Sequence, residues 1–422
     1  LKTVKSYLNS VSLIALFFIS GCSEEYITPQ NTNSVKITVS GIATNYANQA
    51  VPNVRVKIGN DSVLSSSNGN FTFTNVTPPY DLQITEDVMF ISRYYSGLTA
   101  ENLRIPDIGY IDDSLGCQIN ISFPAEILTS GVSGKMIFTD GEYVNAYDLL
   151  NQNLPLKVRL TDKSPVTGRI IVITYKKDAL GKIVSYENFG QSTPMEVING
   201  GKYNYNFSAD ELSLNPGEET VSGSIILQPG YSAFRNFYIT FSDKLTPNFQ
   251  VRTQFEFIVE NNFSLKIPTG LPVQFSSMIG CSSYIGQQQQ TFTDLFKLPP
   301  MQTGIVLETK SEPQLLTPED NAVNIDTSSL FSFTPGAGTG IYRILLLISS
   351  YEVLVVYTPS NSFYLSDFKG LFKDGLPANT IIAWAVEKIG FANSINEYFT
   401  TFTDRPEYFK NYSALKRFTT AN

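Results

Sequence analysis

Alternation with a period of two is the feature that most restricts this chain. Val35, Ile37 and Val39 alternate with Lys36 and Thr38; Val54, Val56 and Ile58 alternate with Arg55 and Lys57; Phe71 and Phe73 alternate with Thr72 and Thr74. Successive side chains of a strand point to opposite faces, so one apolar and one polar set marks a half-buried sheet. Asn68-Gly69, just before Phe71, supplies the positive backbone dihedrals of a tight hairpin. No segment carries a sustained helical stripe, and Tyr364 to Phe372 has room for one or two turns at most. The expected fold class is therefore all-β. Aromatics make up 13% of the residues and charged side chains only 16%, a balance suited to packing on pleated surfaces.

The N-terminal stretch follows a different grammar. Lys2 and Lys5 precede an apolar run from Val11 to Ile19, followed by Ser20-Gly21-Cys22. That order is the order of a secretory signal, and the run falls well short of the roughly 20 residues that span a bilayer as a helix. Ile19-Ser20-Gly21-Cys22 resembles the lipobox of bacterial lipoproteins. The resemblance implies cleavage after residue 21, lipidation of Cys22 and a membrane anchor made of acyl chains, each buried methylene contributing about 0.8 kcal/mol. Ser23-Glu24-Glu25 resembles an acidic surface-export signal, which implies outer-membrane placement facing the exterior. Residues 22–34, with Pro29, Asn31, Thr32, Asn33 and Ser34, read as a flexible tether.

Some 400 remaining residues suit three or four domains. Val39-Ser40-Gly41, Ala50-Val51-Pro52-Asn53-Val54, Ser67-Asn68-Gly69-Asn70-Phe71 and Pro78-Pro79-Tyr80-Asp81-Leu82 make the stretch 35–124 resemble a carboxypeptidase-regulatory-like, or prealbumin-like, domain. That resemblance implies a seven-stranded, non-catalytic β-sandwich related in fold to starch-binding modules. Val221-Ser222-Gly223, with Asn262-Phe263-Ser264-Leu265, repeats the pattern over 219–310. Val132-Ser133-Gly134 and Lys202-Tyr203-Asn204-Tyr205 suggest a divergent copy over 128–215, with a long insertion or a different topology. From Pro313 onward, Leu316-Thr317-Pro318, Phe331-Ser332-Phe333 and Trp384-Ala385-Val386 resemble a fibronectin type III domain over 313–422. Phe333 stands where that family carries tryptophan, Ile382 where it carries tyrosine, and Asp404 to Lys416 reads as an insertion. The architecture expected is a rod of tandem β-sandwiches.

Composition removes several chemistries. Without Lys2 and Lys5 the chain holds 28 basic against 38 acidic residues, which argues against nucleic acid as a partner, since phosphate binding depends on clustered Lys and Arg. Histidine is absent, which removes histidine bases, triads and metal ligands. Beyond Cys22 only Cys117 and Cys281 remain, so no cysteine cluster could hold zinc. One disulfide or two buried thiols are both open. No cofactor and no catalytic residues are expected, although acid pairs within 128–310 leave glycoside hydrolysis open by counting alone. Asp112-Asp113 and Glu319-Asp320 lack calcium-loop spacing and read as turns. Asp61-Ser62-Val63 and Asp113-Ser114-Leu115 resemble an O-glycosylation motif. The aromatic clusters Tyr94-Tyr95 and Tyr408, Phe409 and Tyr412, beside Arg405, Lys410, Lys416 and Arg417, are the candidates for binding. These readings point to a non-catalytic surface lipoprotein for adhesion or envelope assembly, with an accessory that binds glycans for nutrient uptake as the alternative.

Overall fold

The computed structural model describes residues 35–45, 49–86, 91–106, 108–109, 114–127, 129–140, 144–149, 155–160, 165–241, 253–285, 288–348, 353–368, 376–390, 392–400 and 407–422. Three successive stretches of chain lay down strands in the same spatial order. The first comprises β1 (Ile37–Ala43), β2 (Arg55–Ile58), β3 (Asp61–Leu64), β4 (Asn70–Val76), β5 (Tyr80–Glu86), β6 (Ile91–Leu98) and β7 (Asn102–Ile105). Its two layers run β4-β1-β7 and β3-β2-β5-β6, with β7 parallel to β1. The alternation supplies the core: Val39, Val56, Phe71, Phe73, Leu82 and Ile84 are buried between the layers.

The second set is β8 (Gly116–Ser122), β9 (Val132–Thr139), β10 (Val144–Asp148), β11 (Leu156–Arg159), β12 (Val166–Lys177), β13 (Ile183–Gln191), β14 (Met195–Val197) and β15 (Lys202–Asn206). Its layers are β11-β8-β15 and β10-β9-β12-β13, with β14 added on β12. The third set is β16 (Gly217–Ile226), β17 (Ser232–Thr240), β18 (Thr253–Phe257), β19 (Asn262–Thr269), β20 (Ser276–Ile285), β21 (Gln288–Lys297) and β22 (Ile305–Glu308), in layers β19-β16-β22 and β18-β17-β20-β21. Topologically the three are copies.

One sequence expectation is corrected here. Val132-Ser133-Gly134 does not open the middle copy; it lies on the second strand, β9, and Tyr203 and Tyr205 lie on the last, β15. The opening strand is Gly116–Ser122, inside the stretch 35–124 assigned to the first module, because it pairs with β11 and β15. The physical reason lies in the glycine. Gly41 and Gly223 sit directly across from Phe71 and Phe263. A Cβ at Gly41 would lie 2.3 Å from the Phe71 ring, and one at Gly223 would lie 2.9 Å from the Phe263 ring. The pattern thus records an aromatic ring lying over a glycine, and β8 has no such pair with β11.

The last unit is a sandwich of its own. It consists of β23 (Gln314–Thr317), β24 (Ala322–Ile325), β25 (Leu330–Thr334), β26 (Ile341–Leu347), β27 (Val353–Thr358), β28 (Ser362–Tyr364), β29 (Ile381–Ile389), the short helix α1 (Ile395–Thr400), β30 (Glu407–Tyr412) and β31 (Lys416–Thr420). One layer is β23-β25-β28; β27-β26-β29 with β30, β31 and β24 forms the other. Trp384, Phe333, Ile382 and Phe418 are buried between them, with Phe331 edge-on to Trp384 at 5.2 Å.

These units are not beads in chain order. Strand β27 pairs in parallel with β6, and β30 pairs antiparallel with β21. The last sandwich therefore stands between the first and third repeats, and a single 14-stranded sheet runs through all three. The middle repeat is tied in by side chains. One face of β12 and β13 shares a core with the third repeat, the Tyr186 hydroxyl donates to the Lys266 carbonyl at 2.9 Å, and Gln49 donates to the Leu160 carbonyl at 2.9 Å. The tandem sandwiches expected from the sequence are present, and they are joined edge to edge and face to face.

Candidate functional site

The seam between β6 and β27 concentrates the unusual chemistry of the chain. Cross-strand register places Tyr95, Tyr357, Arg343, Glu387 and Tyr412 in one row across five neighbouring strands. Residues directly opposite across a sheet share a face, so a polar row lies within an otherwise apolar layer. The Tyr95 and Tyr357 rings stack at 4.4 Å, and Phe399 of α1 meets Tyr95 edge-on at 4.7 Å. Arg343 Nε lies 2.6 Å from Glu387 Oε2, with the Glu387 side chain fully buried. Beside the row, Arg93 meets Glu86 at 2.8 Å, and the other Glu86 oxygen accepts from the Gly109 amide at 2.7 Å.

The electrostatics follow from that arrangement. Burial alone would lower Arg343, yet Glu387 and the nearby tyrosines hold its guanidinium well above the ordinary range. Arg93 behaves alike: burial opposes its charge, while Tyr95, Tyr357 and Glu86 uphold it. Burial likewise pushes the Tyr95 hydroxyl well above its usual range. Each charge has its counter-charge in place, so this row is an ionic clasp.

The residues singled out from sequence fall in several places. Tyr94 and Tyr95 are both buried, against Phe368 and Tyr357 respectively, so this pair forms no exposed platform. Their strand alternates weakly because both of its faces are covered, one by α1 and the other by the core of the last sandwich. Phe409 is also buried, Tyr412 is half-buried beside Arg343, and Arg417 is exposed. Arg405 and the side chain of Tyr408 lie outside the described residues, as do Cys22, the tether and Asp112-Asp113. Asp320 accepts the Arg417 amide at 2.8 Å, and the Glu319 carbonyl accepts the Ala322 amide at 3.2 Å, as turn residues do. Cys117 and Cys281 are buried free thiols in β8 and β20. Among the described residues no three potential metal ligands come together.

Among the described residues, two clefts open on the surface. One, of about 490 Å³, lies between the second and third repeats and is lined by Thr139, Asp140, Arg169, Gln191 and Val273 among others. The other, of about 770 Å³, lies on the first repeat and is lined by Lys57, Asp61, Asn75, Asp81 and Gln83 beside Phe73 and Tyr94. In it Asp81 is committed: its carboxylate accepts from the Tyr94 hydroxyl at 2.5 Å and from the Gly97 amide at 2.9 Å. Sequence reasoning missed both clefts and the ionic row, since each draws its residues from strands far apart in the chain.

No family model matches the chain, and no curated protein matches it. Among solved structures, a leucine-rich repeat protein from Bacteroides thetaiotaomicron is 11% identical, over 46% of this chain and 26% of that one, with a TM-score of 0.16. This chain thus spans about a quarter of that protein's length. A tetra-tandem repeat from the extending region of a large adhesion protein is 10% identical over 92% of this chain and 99% of that one, with a TM-score of 0.17. The major pilin subunit of Bacillus cereus is 9% identical over 65% and 99% of the two chains, with a TM-score of 0.14.

Proposed function

We propose that this chain is a non-catalytic, surface-exposed lipoprotein that displays tandem β-sandwich modules for adhesion or envelope assembly, held to the outer membrane by lipid on Cys22. The observation that carries the reading is the 14-stranded sheet that joins the first repeat, the last sandwich and the third repeat. Edge-to-edge pairing fixes the units relative to one another, which suits a display platform and leaves few units free to move. In this reading the three repeats are prealbumin-like modules and the last unit is a fibronectin type III-like module. The lack of histidine supports a role without general-base chemistry of that kind. Protease shaving of intact cells tests display: the chain should be cleaved while the outer membrane is whole, and protection until that membrane is broken would contradict it. Mass spectrometry of the native N-terminus should find an acylated Cys22.

A second reading is favoured by the cleft on the first repeat. Lys57, Asp61, Asn75 and Gln83 offer donors and acceptors to a hydroxyl-rich ligand beside the apolar surface of Phe73. A glycan array with the chain freed of its anchor decides: binding that is lost in Gln83→Ala and Asn75→Ala supports an accessory that binds glycans, and silence across polysaccharides removes it.

A further inference from the structure

The connection between β29 and β31 reaches two repeats before it closes its own sandwich. Its helix α1 sits on the first repeat: Asn396 Oδ1 accepts the amides of Thr99 at 2.8 Å and Ala100 at 3.0 Å, while Phe399 and Tyr398 pack on Tyr95 and Tyr357. Its strand β30 pairs with the third repeat from Thr293 opposite Lys410 to Phe296 opposite Glu407. Asn411 donates to the Lys310 carbonyl at 3.0 Å, which holds the linker that leaves that repeat.

Phe409 keys this strand into place. It is buried but, among the described residues, belongs to none of the four hydrophobic cores. Its ring lies on two glycines: a Cβ at Gly390 would stand 2.1 Å from it, and one at Gly338 would stand 2.9 Å away. The Gly390 amide also donates to the Phe409 carbonyl at 2.9 Å. A ring seated in a glycine notch outside every core is a local fastening, separable from the folding of the sandwiches.

Helix α1 is part of the first core through Ile395, Tyr398 and Phe399, and we propose that β30 alone forms an internal latch, which fastens the third repeat to the last sandwich and whose release uncovers the β21 edge while the sandwich cores persist. Gly390→Ala tests this in the full chain, since its added methyl collides with the Phe409 ring. Amide exchange at Thr293–Phe296 should accelerate by roughly tenfold or more, while β16 and β19 of the same repeat keep their rates. Once Phe409→Ala has removed the ring, Gly390→Ala should add nothing further. Asn396→Ala should act at the other end of the connection, speeding exchange at Thr99, Ala100 and β6 and leaving β21 alone. Equal acceleration in β16, β19 and β21, global unfolding by Gly390→Ala, an additive double variant or an unchanged β21 would each overturn the latch.

Discussion

Glu387 and Arg343 show what a buried charge asks of its surroundings. Their 2.6 Å contact lies where Glu387 is wholly shut from water, so each charge depends on the other. Glu387→Gln should cost about 3–5 kcal/mol, because it strands a buried guanidinium, whereas replacing both with apolar residues of similar volume should be near neutral or stabilising. Urea denaturation of the single and paired variants measures both. Buried thiols make a quieter demand. Burial pushes Cys281 from 9.0 up to about 12, with Asp294 adding to the effect and Arg235 opposing it, and pushes Cys117 from 9.0 up to about 11. Both folded values exceed the unfolded ones, so the folded chain keeps protons that the unfolded chain releases. Their stabilisation is whole below pH 9 and is lost as pH climbs toward 11 and 12. Cys281→Ala should therefore flatten the alkaline fall in the urea midpoint, and an unchanged slope would count against its burial.

At the scale of strands, the paired glycine and phenylalanine explain both what could be read in advance and what could not. Gly41→Ala and Gly223→Ala should each destabilise by about 1–3 kcal/mol through overpacking. The two losses should sum in the double variant, because the sites lie in different repeats; chemical denaturation checks both statements. The first and third repeats were legible because their glycine and ring are direct register partners, so a short motif marks a true contact. The middle copy uses the same topology with Ile119 opposite Leu156 and no glycine facing a ring between β8 and β11; its ring over a glycine, Phe138 over Gly168, lies in the other layer. Val132-Ser133-Gly134 offers the right letters on the wrong strand, which is why the sequence placed that copy one strand late. Tyr94-Tyr95, offered as a binding cluster, is buried instead, since a strand covered on both faces presents consecutive buried rings.

Across the whole molecule, the joining of edges is what sequence could not disclose. Strand β6 holds nothing locally that distinguishes a free edge from one paired with β27, some 260 residues later. Open edges invite association with other chains, and this chain occupies the corresponding edges of its first and third repeats with strands of its own last unit. In the middle repeat, β13 is instead bridged at Phe189 by Leu214 and packed against the third repeat. Display on a platform of this kind requires that the first repeat and the last sandwich be neighbours. Ser92 and Leu354 are register partners across that junction, within the separation a disulfide can bridge. With Cys117 and Cys281 changed to Ala, the chain carrying Ser92→Cys and Leu354→Cys should, on oxidation, form an intramolecular disulfide in nearly every molecule, seen as a faster-migrating monomer on a non-reducing gel. A monomer that keeps both thiols free, or one that links only to a second chain, would contradict the shared sheet.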